Sequence, residues 1–349
     1  MPRAKTITLR TIANELNLSV HTVSKALRGL PGMAESTRRA VVERARTLGY
    51  LTKEQEAGIA AERIPWANGK PRRFVMVMGG DVAYHRQQLE GVRLRLIELG
   101  HTLEPIRFPV GVSRLAELSA WLDDAGVQYA DGLILTSGIP EWAEAALLRL
   151  DMPKVLINYP PDLAEVDGAV WDVEYAVHQA MEELHERGHR DVLYVGAIEP
   201  YRGFRLRWQA FVAAGIRAGL TPADPEAHMI GPAEDRDKWM EKLCALLRTG
   251  RFTAVLSVIP GESEWIYNAA ATLGLSIPGD LSLVGMEHEV QPAYADLSRP
   301  ELIVREAGER AAELLLRRIA NPTLPYEHVR LKGRFLAGRT VRQLGQREL

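Results

Sequence analysis

His21, Lys25 and Arg28 stand at i, i+4 and i+7, so on a helix they share one face. Together they offer an imidazole, an ammonium and a guanidinium in a row. Base pairs show distinct donor and acceptor patterns in the major groove, and a row of this kind can read them. Val20, just ahead of the row, can touch a thymine methyl. Thr8, Thr22, Ser24 and Arg38 suit phosphate oxygens, which set register without reading sequence. The same face could instead serve a protein partner, and these residues alone leave that open.

Two further strings carry a chemical pattern. His185-Glu-Arg-Gly-His189 matches the H-E-x-x-H pattern of zinc proteases. That chemistry needs a helix continuing through both histidines and a third ligand beyond. Gly188 reads better as the residue that ends the helix, which throws His189 off it. Cys244, the one cysteine, lies among Trp239, Leu243 and Leu247 at helical spacing and is expected to be a buried, inert thiol. A single cysteine excludes an internal disulfide and a cysteine-rich zinc site. The phosphate-binding patterns G-x-x-x-x-G-K-[ST] and G-x-G-x-x-G and the nucleophile pattern G-x-S-x-G are absent. The expectation is a non-enzyme without a cofactor or metal.

The elements that must hold the basic row are short helices. Leu9, Ile12, Ala13 and Leu16 follow helical spacing. Asn17-Leu18 breaks the pattern, and Ser19 is placed to cap a second helix from Val20, with Val20, Val23 and Leu27 facing inward. A third helix is expected from about Ala34, burying Val41, Val42, Ala45 and Leu48 and ending at Gly49. With no Ser at position 34, Ser36 is the nearest capping hydroxyl. Three short helices with a tight turn between the first two make a helix-turn-helix.

Beyond the Pro65–Pro71 linker the pattern alternates. Apolar strands are expected at Phe74–Met78, Gly132–Leu135, Lys154–Ile157, Val192–Val195, Ala254–Val258 and Leu281–Val284. Between them lie amphipathic stretches such as Tyr84–Leu99, Val173–Arg187 and Arg202–Ala218. Such alternation predicts parallel sheets covered on both faces. Periodicity alone leaves one large doubly wound domain, a barrel or two lobes all open.

The 349-residue chain is 46% hydrophobic and 25% charged, ordinary for a soluble globular protein, with a net charge of −2. Residues 1–53 carry ten Lys or Arg against three Glu, so a basic head of +7 sits on a body of −9. A polyanion-binding head fits that asymmetry, although charge alone does not decide it. No apolar run approaches the roughly 18 residues of a membrane span, and Met1–Thr8 lacks the apolar core of a signal peptide. The cytoplasm is the expected location, with no membrane partner.

Read together, these residues carry a resemblance to the LacI/GalR family of repressors over essentially the whole chain. Thr8-Leu-Arg-Thr-Ile-Ala-Asn-Glu-Leu-Asn-Leu-Ser-Val-His-Thr-Val-Ser-Lys25 is similar to the family's helix-turn-helix signature. Thr37-Arg38 and Leu48-Gly49-Tyr50 match its third helix. Asp172, Gly188-His189-Arg190, Gly274-Leu275, Pro278-Gly-Asp280-Leu-Ser-Leu-Val-Gly285 and Pro300-Glu-Leu302 follow in the family's order.

The resemblance implies an all-α helix-turn-helix at 1–52, a hinge and linker at 53–72, and a two-lobed, Rossmann-like, periplasmic-binding-protein type I body at 73–340. It implies chain crossings near Tyr159, Glu289 and Asn321, so that lobe one holds 73–158 and 289–321, and lobe two 159–288 and 322–340. Implied partners are pseudo-palindromic operator DNA, a small-molecule effector between the lobes, and a second copy in a homodimer. The implied DNA-facing set is Thr8, Leu9, Ser19, Val20, His21, Thr22, Ser24, Lys25, Arg28 and Arg38. Ile59 would be a minor-groove wedge beside a helix-weakening Gly58. Arg207 falls on the family's effector-binding Arg and Glu287 on a second ligand position. Tyr84, Trp171, Tyr201 and Trp265 fall near strand ends, where α/β ligands bind.

Several positions depart from the family. The hinge usually reads Asn-x-x-Ala-x-x-Leu, and here the matching residues are Lys53, Glu56 and Ile59. Ile259-Pro260 replaces the Asn-Asp pair of sugar-binding members, which argues against an ordinary sugar effector. The rival readings are a small-molecule receptor or an α/β enzyme without DNA binding.

Metal analysis of purified, tag-free protein should find far less than one zinc per chain. Stoichiometric zinc that disappears in a His185→Ala variant would show that the H-E-x-x-H string is a real site.

Overall fold

The computed structural model describes residues 7–28, 30, 32–48, 50, 70–231, 235–288 and 294–345. The proposed hinge residues Lys53, Glu56, Gly58 and Ile59, and the crossing residue Glu289, lie outside the described residues. The chain forms two compact units, Met1–Gly69 and Lys70–Leu349.

The first unit contains α1 (Leu9–Glu15), α2 (Val20–Leu27) and α3 (Glu35–Thr47). Thr8 and Thr11 close a capping box on α1, each side-chain oxygen accepting from the other's backbone N–H at 3.2–3.3 Å. Asn17 turns the chain with φ of 52°, a conformation Asn tolerates better than most residues. Ser19 then accepts from the Thr22 N–H at 3.0 Å and starts α2. The core is small, with Ile12, Ala13, Val23, Ala26, Val41 and Ala45 buried. Val20 and Val42, expected inside, are 42% and 46% exposed. The inward stripe of α2 runs through Val23 and Ala26, which carries Val20 at its N-terminus to the surface. On α3 it runs through Val41 and Ala45, one position off Val42.

The body begins with β1 (Arg73–Met78), α4 (Ala83–Glu98), β2 (Thr102–Arg107), α5 (Leu115–Asp124), β3 (Gly132–Thr136), α6 (Glu141–Leu148), β4 (Lys154–Ile157) and β5 (Asp167–Trp171). It continues with α7 (Val173–Glu186), β6 (Val192–Val195), α8 (Arg202–Arg217), α9 (Pro225–His228), β7 (Met229–Ile230), α10 (Arg236–Arg248), β8 (Ala254–Ser257), α11 (Ser263–Thr272) and β9 (Ser282–Gly285). It closes with β10 (Arg299–Pro300), α12 (Val304–Ala320), β11 (His328–Leu331) and β12 (Phe335–Leu336).

Two parallel sheets result. The first has the order β11-β5-β4-β3-β1-β2 and the second β7-β6-β8-β9, while β10 and β12 pair antiparallel. The central strands of both are fully buried, as expected for sheets covered on both faces.

These pairings move the lobe boundaries. Asp167–Trp171 and His328–Leu331 pair in the first sheet, so the chain leaves lobe one after Trp171 and again after Leu331, not at Tyr159 and Asn321. Arg299–Pro300 pairs with Phe335–Leu336, and Ser298 bridges to Val284, so lobe two extends past Pro300. The expected crossings are therefore too early in each case. Two strands hid them: β5 opens on Asp-Gly, and β11 follows the loop Asn321-Pro-Thr-Leu-Pro325, which by composition reads as an exit.

The true crossings are tied together. The Tyr159 hydroxyl accepts from the Val173 N–H at 3.0 Å, and the Asp172 N–H donates to the Leu331 carbonyl at 2.7 Å. The Glu301 N–H donates to the Arg334 carbonyl at 2.7 Å. Arg318 fixes the loop into β11, since its guanidinium forks onto Asp167 at 2.8 and 3.1 Å and donates to the carbonyls of Pro322, Leu324 and Pro325.

His185 lies on α7, but Gly188 has φ of 89° and ends the helix. Both ring nitrogens of His189 are engaged, by Thr253 Oγ1 at 2.9 Å and the Arg342 carbonyl at 3.1 Å. Among the described residues no group of three His, Cys, Asp or Glu is placed to hold a metal ion. Cys244 is buried between Trp239, Leu243 and Leu247.

α12 packs along α4 with glycine on both sides. A Cβ on Gly308 would lie 2.3 Å from the Gln88 carbonyl oxygen, and one on Gly91 would lie 1.9 Å from that of Arg305. Ala would raise helix propensity at Gly308 by about 1 kcal/mol. The obstacle is backbone, which cannot rotate aside, so the helices must part. Gly308→Ala should therefore lose about 1–3 kcal/mol in chemical denaturation of the full chain. A gain in stability would mean that the close approach of α4 and α12 does not exist.

Candidate functional site

In the first unit α2 presents its polar row. Ser19, Val20, His21 and Arg28 are exposed, and Thr22, Ser24 and Lys25 are half-buried. Thr8 is exposed ahead of α1, while Leu9 is half-buried and packs on the core. Ser19 and Thr22 also share a side-chain hydrogen bond of 2.8 Å, so one of the two hydroxyls can still reach outward. Arg38 has a different situation. Its guanidinium donates to the carbonyls of Leu30 at 2.7 Å and Ala26 at 3.4 Å, holding the end of α2 against α3. Its free donors for a phosphate are correspondingly fewer.

In the second unit the two lobes enclose a cavity of about 410 Å³. Lobe one contributes the loops after β1 and β3 and the start of α4, with Tyr84 and His85. Lobe two contributes Phe204 and Arg207 from α8, Ile259-Pro260 after β8, and His288 after β9. This is the carboxyl end of both sheets, where α/β folds bind ligands.

Arg207 is the one charged side chain lining this cavity among the described residues. It is 9% exposed and lies over the rings of Trp171 and Phe204, at 5.2 and 5.4 Å. One terminal N–H donates to the Val258 carbonyl at 3.1 Å, and Nε has no partner among the described residues. Burial lowers its affinity for the proton, with only the tyrosines 194, 84 and 159 opposing. Arginine nevertheless stays charged in proteins. A buried, unpaired charge is costly by several kcal/mol, and an incoming anion would relieve it.

The neighbours are neutral. Burial first, and Arg207 second, push His288 down to about 4, and its Nδ1 lacks a partner among the described residues. His85 is likewise lowered by burial and is held by the Gly80 carbonyl at 2.9 Å and Ser137 Oγ at 3.2 Å. Burial raises Tyr84, whose hydroxyl is hydrogen-bonded by Trp171. Tyr84 packs on His288 with ring centroids 5.4 Å apart.

Of the residues expected around a ligand, Arg207, Tyr84, Trp171 and Tyr201 line the cavity, and Glu287 and Trp265 do not. The Glu287 carboxylate accepts from the Gly261 N–H at 2.6 Å and the Ser263 N–H at 3.3 Å, capping the start of α11. Trp265 belongs to the far core of lobe two, under the Arg236 guanidinium at 4.7 Å. Several cavity residues escaped the sequence reading, among them His85, Asn158, Phe204 and His288. Phe204 stands one helical turn before Arg207 on the same face, a legible signal, whereas His288 had none beyond following Glu287.

The lobes are also bridged directly. One terminal nitrogen of Arg202 on α8 donates to both carboxylate oxygens of Glu144 on α6, at 2.7 and 2.9 Å, and Arg202 Nε donates to the Tyr159 carbonyl at 2.7 Å. Glu144 is almost fully buried, and burial raises it against the lowering by Arg202.

The family model for a periplasmic binding protein-like domain matches residues 181–341. A protein of Bacillus subtilis (strain 168) named "Probable HTH-type transcriptional repressor ExuR" is 23% identical, with 97% of this chain and 99% of that protein covered. The HTH-type transcriptional repressor PurR of Escherichia fergusonii is 25% identical, with 96% of each covered. Among solved structures, a complex of the transcriptional regulator CelR with cellobiose superposes with a TM-score of 0.67 at 19% identity, over 96% of this chain and all of that one. A lac repressor dimer bound to operator and the anti-inducer ONPF gives 0.66 at 17% identity, over 97% and 100%. These likenesses show the fold, and no helix among the described residues is long and apolar enough to cross a membrane.

Binding-site selection with His21→Ala and Lys25→Ala should shift the preferred bases, each lost contact being worth about 1–3 kcal/mol. Arg38→Ala should instead lower the melting temperature of the head, because the carbonyls of Ala26 and Leu30 lose their donor. Unchanged base preference in both α2 variants would remove α2 as the reader.

Proposed function

We propose that the chain is a transcriptional regulator of the LacI/GalR family, that α2 reads operator DNA and that a small molecule bound at Arg207 modulates that binding. The chain acts as a repressor, through a homodimer on a pseudo-palindromic site, in the cytoplasm and without catalysing a reaction. The observation that carries the ligand half of this reading is the buried guanidinium of Arg207, uncompensated among the described residues, inside a cavity between two lobes. Exposed Val20, His21 and Arg28 on α2, in a strongly basic segment, support the DNA half. Arg28 adds a further donor toward the backbone, and Ile59 remains the proposed wedge.

A ligand changes operator affinity only if it binds two lobe arrangements unequally. The Arg202–Glu144 bridge is a feature of the arrangement seen here, and opening the cleft would have to break it. Its loss would leave a buried carboxylate without its partner, so the bridge weights the closed lobes. Differential ligand affinity and this bridge therefore act on the same equilibrium. The signal to DNA passes through the segment joining the two units, which lies outside the described residues.

Selection of the full-length protein against random DNA should enrich a pseudo-palindrome. Arg207→Gln should enrich the same site with an affinity within about threefold of the parent, because Arg207 touches ligand and not DNA. Removal of residues 1–64 should abolish DNA binding altogether. Enrichment of no site by the full-length protein would overturn the regulator reading.

A further inference from the structure

The cavity is unusual in what it lacks. Among the described residues no Asp or Glu lines it, and the place after β8 carries Ile259-Pro260, which offers no side-chain hydrogen bond. A polyhydroxylated sugar needs acceptors and bidentate amides for its hydroxyls, and burying unpaired hydroxyls is costly. The walls instead are ring faces: Tyr84, Trp171 and Phe204 surround the approach to Arg207. These rings already flank the guanidinium plane, which leaves its edge as the place for a partner. Nε is free there among the described residues, and a carboxylate is the planar anion that a guanidinium edge fits.

Ser137 and Asn158 also line the cavity, and a further polar point stands beside the rings at His288. Its ring packs on Tyr84, is neutral, and keeps a buried Nδ1 without a partner among the described residues. A cavity of about 410 Å³ is of a size that takes a small organic ligand. We propose that the cleft selects a small planar aromatic carboxylate, its carboxylate on Arg207, its ring between the aromatic walls and a ring hydroxyl within reach of His288. This rests on the reading of the cleft as the effector site and names the class of molecule that site takes. A neutral planar base would leave Arg207 uncompensated. A sugar acid would satisfy Arg207 but set its hydroxyls against rings.

The test uses full-length protein and five probes in calorimetry and thermal shift: benzoate, 4-hydroxybenzoate, benzamide, glucuronate and hypoxanthine. Benzoate and 4-hydroxybenzoate should bind and raise the melting temperature. Benzamide, the same shape without the charge, should bind at least about tenfold more weakly. Arg207→Gln should lose benzoate by at least about tenfold while melting no lower than the parent, since it removes an unpaired buried charge. 4-Hydroxybenzoate should bind more tightly than benzoate, and His288→Leu should erase that difference. Tighter binding of glucuronate or hypoxanthine than benzoate, dependent on Arg207, would overturn the aromatic carboxylate and leave the effector cleft standing. Binding of none of the five at millimolar concentration, or equal binding of benzoate and benzamide, would also overturn it. The DNA selection described above uses no ligand, so failure of the regulator reading is recognised separately.

Discussion

The contact of α12 on α4 is the constraint from which the body's architecture follows. Glycines 91 and 308 let two helix backbones meet at a distance that any side chain would prevent. Through this contact a segment from the far end of the chain becomes a layer of lobe one. Its buried stripe of Val304, Ala307, Ala311, Leu314 and Leu315 covers the first sheet, against β3, β4 and β5. Arg318 then turns the chain so that β11 can add beside β5. With lobe one completed by a late segment, the chain must cross between lobes three times. Those crossings, pinned by Tyr159, Asp172 and Glu301, form the hinge side of the cleft.

Within that frame one buried cation, Arg207, lacks a counter-ion among the described residues. Other deeply placed ionic side chains are paired, as in Arg318–Asp167, Arg236–Glu262 and Arg202–Glu144. Arg207 has a carbonyl, two ring faces and no carboxylate among the described residues. A fold that gives those arginines carboxylates and leaves this one without any offers it to an anion that arrives from outside. Perturbed, partnerless ionisable groups in a cleft mark binding sites more often than structural ones. The neutrality of His85 and His288 sharpens this, because it leaves Arg207 as the only charge lining the cavity among the described residues.

The head follows a different logic. Its core among the described residues is six buried hydrophobic side chains, so caps contribute a large share of its order: the Thr8–Thr11 box, Ser19 on α2, and Arg38 on the carbonyls at the other end of α2. This spends Arg38 on structure and leaves the row of α2 exposed at His21 and Arg28. Glu287 is a parallel case in the body, spent on capping α11 rather than on the cleft.

The sequence by itself determined the local features. Helical spacing and Ser19 located α2, Gly188 ended α7, and apolar alternation found the central strands to within a residue or two. Resemblance placed Arg207 in the cleft. These succeed because caps, turns and buried stripes depend on near neighbours in the chain. Tertiary structure alone decided the rest. β5 and β11 are short, and Asp167-Gly168 and Pro325 disguise them, so their pairing and with it the lobe boundaries appear only once α12 has packed. Glu287, Trp265 and Arg38 have side chains suited to a site, yet each has a structural partner that is distant in sequence or on another element. His288 gains its role only from Tyr84, which stands two hundred residues earlier and meets it across the cleft. Which polar groups remain free for a ligand depends on which others the fold has already consumed, and that is a property of packing rather than of sequence.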